Sequence, residues 1–132
     1  MRFLSLIFLS AVLLVRAADT GMAGSYPGEW KSDSSGNGGV FHMTLSTAAG
    51  DALKCEISFM LSGEEVKTKM QSFKFENSQI EVAYDFDVQG VTARSKLTGK
   101  WDGKSFTGRY QTTVVDSGDS VDAGAWSASR SK

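Results

Sequence analysis

Cysteine, proline and histidine each occur once in the 132 residues, as Cys55, Pro27 and His42. A lone cysteine excludes an internal disulfide framework, so stability has to come from packing. One histidine and one cysteine cannot assemble a zinc site without carboxylates, and acid–base or nucleophilic catalysis needs convergent titratable groups that this chain barely offers. The sequence therefore reads as non-enzymatic, with no metal and no cofactor. An excess of basic charge is missing too, which removes the electrostatic footprint of a nucleic-acid binder. Helical periodicity is also missing: no apolar stripe with a 3.6-residue repeat runs for a useful length beyond the first residues.

Those first residues, MRFLSLIFLSAVLLVRA, place Arg2 before an apolar stretch from Phe3 to Val15 that ends in Val15-Arg16-Ala17. This is the pattern of a helical secretory signal peptide, residues 1–17, and the stretch is short of the ~20 residues a membrane-spanning helix needs. Cleavage after Ala17 takes Arg2 and Arg16 from the 14 basic residues, leaving 12 against 15 acidic ones, a net charge of −3. About 115 residues remain, enough for one domain and too few for two. Residues 18–25, ADTGMAGS, read as a flexible leader and 26–132 as a single domain that is secreted or periplasmic, with no membrane association after cleavage.

With so little proline, the chain makes its turns with glycine and small polar residues: Ser35-Gly36-Asn37-Gly38-Gly39, Ala49-Gly50-Asp51, Ser62-Gly63, Asn77-Ser78, Gln89-Gly90, Asp102-Gly103 and Ser117-Gly118-Asp119. Between them lie eight segments of strand length. In 53–61, Leu53, Cys55, Ile57, Phe59 and Leu61 share one face, and in 80–88 so do Ile80, Val82, Tyr84, Phe86 and Val88, as expected of half-buried strands. Cys55 is then a small core residue with an inert thiol, and His42 faces outward opposite Phe41 and Met43. Segment 65–76 switches parity between Met70 and Phe73, which predicts a β-bulge near Gln71 and Ser72. Short connections between alternating strands describe an all-β, eight-stranded antiparallel up-and-down barrel, with a β-sandwich as the alternative. A membrane barrel is excluded by Lys54, Glu56, Lys67, Lys69, Glu81, Asp85, Lys96 and Lys100 on the face that lipid would have to cover.

Glycine and an aromatic recur two residues apart, in Gly28-Glu29-Trp30, Gly99-Lys100-Trp101, Gly108-Arg109-Tyr110 and Gly124-Ala125-Trp126. Inside a small barrel a glycine permits the wall to bend, and a ring from a neighbouring strand fills the space it leaves. Tyr26-Pro27-Gly28-Glu29-Trp30, opening the first strand, resembles the Gly-x-Trp motif of the calycin superfamily, the lipocalins and avidins. That resemblance implies a basic side chain from near the chain end packed across the Trp, which points to Arg130 stacking on Trp30 to close first strand on last. Val40-Phe41-His42-Met43 and Phe106-Thr107-Gly108-Arg109-Tyr110 before Gly124-Ala125-Trp126 look avidin-like, without clear counterparts of the later biotin-stacking tryptophans. The chain also resembles small secreted bacterial meander domains rich in Gly-x-Trp.

The functional expectation is a barrel that binds a small, partly apolar molecule in an aromatic lumen lined by Trp30, Tyr84, Trp101, Tyr110 and Trp126, with Tyr hydroxyls and indole N–H groups holding its polar end. The alternative is a filled barrel acting through its surface on a protein partner. Asp116, Asp119 and Asp122 crowd the loop VDSGDSVD; their spacing is not that of a defined calcium loop, and turn chemistry accounts for them.

Overall fold

A computed structural model describes residues 21–47 and 52–131. The expected signal peptide and the first part of the expected leader lie outside the described residues. The chain forms nine strands: β1 Gly24–Ser32, β2 Gly38–Thr47, β3 Leu53–Leu61, β4 Glu64–Lys67, β5 Lys69–Glu76, β6 Gln79–Val88, β7 Val91–Trp101, β8 Ser105–Val114 and β9 Ser120–Ser129. All pair antiparallel in one sheet of order β4-β3-β2-β1-β9-β8-β7-β6-β5. One continuous sheet, in which the chain's first strand pairs with its last and the edge strands β4 and β5 follow one another directly along the chain, excludes the sandwich; the molecule is a nearly closed up-and-down barrel.

The count is nine strands rather than eight because the segment read as one strand divides at Thr68. Its first half pairs with β3, Ser58 opposite Lys67 through Leu61 opposite Glu64, and its second half pairs with β6. The two halves thus serve opposite neighbours. At the division Thr68 Oγ1 donates to Ile57 O at 2.6 Å, continuing the attachment to β3 with a side chain where the backbone turns away. The bulge falls where the parity break predicts it, between Met70 and Ser72.

Closure is made by β1 and β9, with Gly28 opposite Ala128 and Trp30 opposite Trp126. β1 starts at Gly24 and Met22 is buried, so the ordered barrel includes the last residues of the segment read as leader. Alternation places Tyr26, Phe41, Met43, Leu45, Cys55, Ile80, Leu97 and Phe106 in the core.

One end of the barrel is plugged. Tyr26 and Phe106 are fully buried and meet edge to face at 5.4 Å, with Trp101 4.7 Å from Phe106. The Tyr26 hydroxyl donates to Met22 O at 2.6 Å. Arg130 covers this cluster, its guanidinium 5.5 Å from the Tyr26 ring and 5.9 Å from the Trp101 ring, and it donates to the Tyr26 hydroxyl at 2.8 Å. The basic residue near the chain end therefore does stack on aromatics at the closure, but on Tyr26 and Trp101. Trp30 lies elsewhere, because four residues of extended chain carry it about 13 Å along the barrel from Tyr26.

Candidate functional site

The other end of the barrel is hollow. A cavity of about 400 Å³ opens among the β1–β2, β3–β4, β6–β7 and β8–β9 turns and descends to Phe41, Leu97 and Trp126. Trp126 is the floor between the two halves: one side joins Phe41, 5.4 Å away, under the cavity, while the ring stacks at 6.2 Å on Phe106 of the plug. The walls are aromatic. Trp30 meets Phe59 and Tyr110 edge to face at 6.3 and 6.2 Å, and Phe59 meets Phe86 at 5.0 Å.

Glycines on neighbouring strands make these ring positions possible. The Trp30 indole on β1 crosses over Gly39 of β2 and donates from Nε1 to Met60 O of β3 at 3.0 Å; a Cβ at Gly39 would stand 3.0 Å from that nitrogen. Trp126 on β9 likewise crosses β8 at Gly108, its register partner. Its Nε1 donates to Thr98 O at 3.2 Å, and a Cβ at Gly99 would fall 2.9 Å from its Cζ2. Each of these rings spans two strand spacings, which a side chain on the intervening strand would block.

Of the five residues expected to line the lumen, Trp30, Tyr84, Tyr110 and Trp126 do so. Trp101 belongs to the plug with Arg130. The indole N–H groups of Trp30 and Trp126 are committed to backbone carbonyls of the wall, so the polar end of the site is built from other groups.

Those groups form a transverse row. Tyr84 is the register partner of Ser95, Ser95 of Thr112 and Thr112 of Asp122, so four adjacent strands present one polar side chain each at the same level of the lumen. Ser95 Oγ and Thr112 Oγ1 lie 2.5 Å apart, both buried. Asp122 accepts from the Tyr110 hydroxyl at 2.8 Å and from Ser32 Oγ at 2.6 Å, which fixes its carboxylate with acceptor capacity to spare. Burial pushes the Tyr84 hydroxyl well above its usual range, against the opposing effect of its Ser95 hydrogen bond. Tyr110 is raised by burial first and then by the Asp122 carboxylate it donates to. Both phenols are neutral donors at any physiological pH.

Ser95, Thr112 and Asp122 were not among the expected lining residues. Strand parity could have found them: Ser95 shares a face with Ala93 and Leu97, Thr112 with Tyr110, and Asp122 with Gly124 and Trp126. Elsewhere, His42 Nε2 meets Ser25 Oγ at 2.8 Å on the outer wall. Cys55 is buried, and burial followed by the charge of Glu56 pushes its thiol from 9.0 up to about 12. Among the described residues no three His, Cys, Asp or Glu side chains converge to hold a metal ion.

Comparison with known proteins leaves the site to speak for itself. No family model matches the chain, and neither a curated protein nor a solved structure matches it significantly. The nearly closed antiparallel barrel is compatible with a calycin-like fold.

Proposed function

We propose that the protein is an exported, non-enzymatic, calycin-like carrier that holds one small, partly apolar molecule in the open half of its barrel. The observation that carries this reading is the polar row inside an otherwise apolar cavity. Hydroxyls and a carboxylate at inward strand positions cost stability relative to the aliphatic residues around them, and a barrel needing only a packed core would fill those positions as it fills the plugged end. The cavity volume falls within the range of small-molecule sites. The same hollow favours a carrier over the filled barrel weighed as the alternative.

Native mass spectrometry of the protein from its own source tests the proposal. The expected result is a discrete excess mass that disappears on denaturation; a bare polypeptide mass counts against a carrier. The double variant Ser95→Ala with Thr112→Val is the companion measurement. Replacing both partners of a buried hydrogen bond with apolar groups changes stability by less than about 1 kcal/mol. The change also leaves the buried Tyr84 hydroxyl without its Ser95 partner, at a cost of about 1–3 kcal/mol, so the melting temperature should fall modestly with the fold kept while the retained mass diminishes. An unchanged retained mass would show the row to be irrelevant to binding.

A further inference from the structure

We infer that the ligand is an amphipathic cation: an apolar, ring-sized body carrying a protonated amine that docks on Asp122. This rests on the carrier reading and adds to it the sign of the ligand's charge.

Two independent features carry the inference. The first is the lumen itself. Asp122 is the one charged side chain among the residues bounding the cavity, and no Lys, Arg or His faces it there. Its carboxylate is held by Tyr110 and Ser32, and two of its lone-pair sites stay open toward an incoming donor. A ligand carboxylate in the same place would meet like charge with no cation to offset its desolvation, whereas an ammonium would form a charge-assisted hydrogen bond beside aromatic faces that also favour cations.

The second feature is the rim. The four turn regions that frame the mouth, residues 32–40, 59–66, 86–93 and 111–124, contain no Lys, Arg or His. Besides Asp122 itself they carry Asp33, Glu64, Glu65, Asp87, Asp116 and Asp119. One of these charges is offset, since Arg109 reaches Asp33 from the outer wall. At the plugged end acid and base balance more nearly: Lys54 and Lys74 pair with Glu56 and Glu76, Asp102 stands between Lys100 and Lys104, and Arg130 adds a further positive charge. The molecule is polarised along the barrel axis, with its negative end around the opening, and such a field draws cations toward the mouth and turns anions away.

The test is a set of three ligands with one naphthalene body and different heads: 2-naphthylethylamine, 2-naphthaleneethanol and 2-naphthylacetate. Each is titrated into the purified protein by calorimetry, with quenching of tryptophan fluorescence as the second readout. The amine should bind about ten- to a hundredfold more tightly than the acetate, the worth of a hydrogen bond to a charged group, with the alcohol between them. Asp122→Asn, nearly isosteric, should remove the amine's advantage over the alcohol, read as the ratio of the two affinities in the same variant. Raising the salt concentration should shrink the amine-to-acetate ratio in the parent protein through the rim contribution. Binding of the alcohol with no preference for the amine, or an advantage that survives in Asp122→Asn, would overturn the charge inference and leave the carrier standing. Failure of all three ligands to bind would overturn the carrier reading and the inference with it.

Discussion

A methyl group added at Gly108 has nowhere to go: it would overlap the carbonyl of Thr98 on the neighbouring strand and crowd the Cα of Gly99. Backbone cannot step aside as a side chain can, so Gly108→Ala should destabilise the fold by about 3 kcal/mol, at the upper end of overpacking costs. Gly63 provides the contrast. Its φ is +83°, yet nothing lies within 4 Å of where a Cβ would stand, so Gly63→Ala should cost only the left-handed backbone penalty of about 1 kcal/mol. Urea-unfolding midpoints of the two variants measure the difference, and equal losses would refute the crowding argument. The Gly-x-aromatic spacing in the sequence signalled voids beside bulk. What it did not give was the pairing of void with ring, because Gly99 serves Trp126, two strands away, and not its sequence neighbour Trp101. That assignment depends on register across strands.

At the scale of the strands, the alternation of Leu53 through Leu61 and of Ile80 through Val88 was enough to give their faces, and the parity break after Met70 was enough to place the bulge. The division at Thr68 was not legible, because it answers to a property of the closed sheet: the local chain 64–76 has to hand its hydrogen bonds from β3 to β6 as the wall curves. The lumen was partly legible for the same reason. Aromatic positions stand out by size, whereas Ser95 and Thr112 look like ordinary strand residues until parity and register set them beside Tyr84 and Asp122. The end of β9 carries its own prediction. Arg130 ties that end to β1 by two donated bonds to the Tyr26 hydroxyl, 2.8 and 3.2 Å, and by stacking over Tyr26 and Trp101. Arg130→Lys keeps the charge but loses the planar fork and should cost about 1 kcal/mol; Arg130→Ala should cost about 2 kcal/mol. Thermal melts check the order, and a lysine variant as stable as the parent would mean that charge alone suffices.

For the molecule as a whole, three buried acids set the alkaline limit. Cys55, Tyr84 and Tyr110 are all raised in the folded state, chiefly by burial. Below the ordinary thiol value of 9.0 all three are protonated whether the chain is folded or not, and stability is at its full value. As pH climbs, the unfolded chain sheds these protons first, so stability falls from near 9.0 upward; Cys55 contributes to the loss until about 12, and the two tyrosines join it from near 10.0 and continue beyond it. Melting temperature should therefore be steady near neutrality and decline above about pH 9, with Tyr84→Phe softening the decline. A flat profile through that window would show that the three groups ionise as readily in the barrel as in the open chain.

The β1–β9 seam has a consequence in time. Every other pairing in the sheet joins strands that follow one another along the chain, but Gly28 waits for Ala128, a hundred positions later. The loop-closure entropy of that one contact comes due in a single late step, after seven local ladders are available to form at hairpin speed. Until β9 arrives, β1 and β8 stand as bare edges and the lumen has no wall on that side. Completion of the barrel wall and enclosure of the lumen thus wait on the same strand pairing.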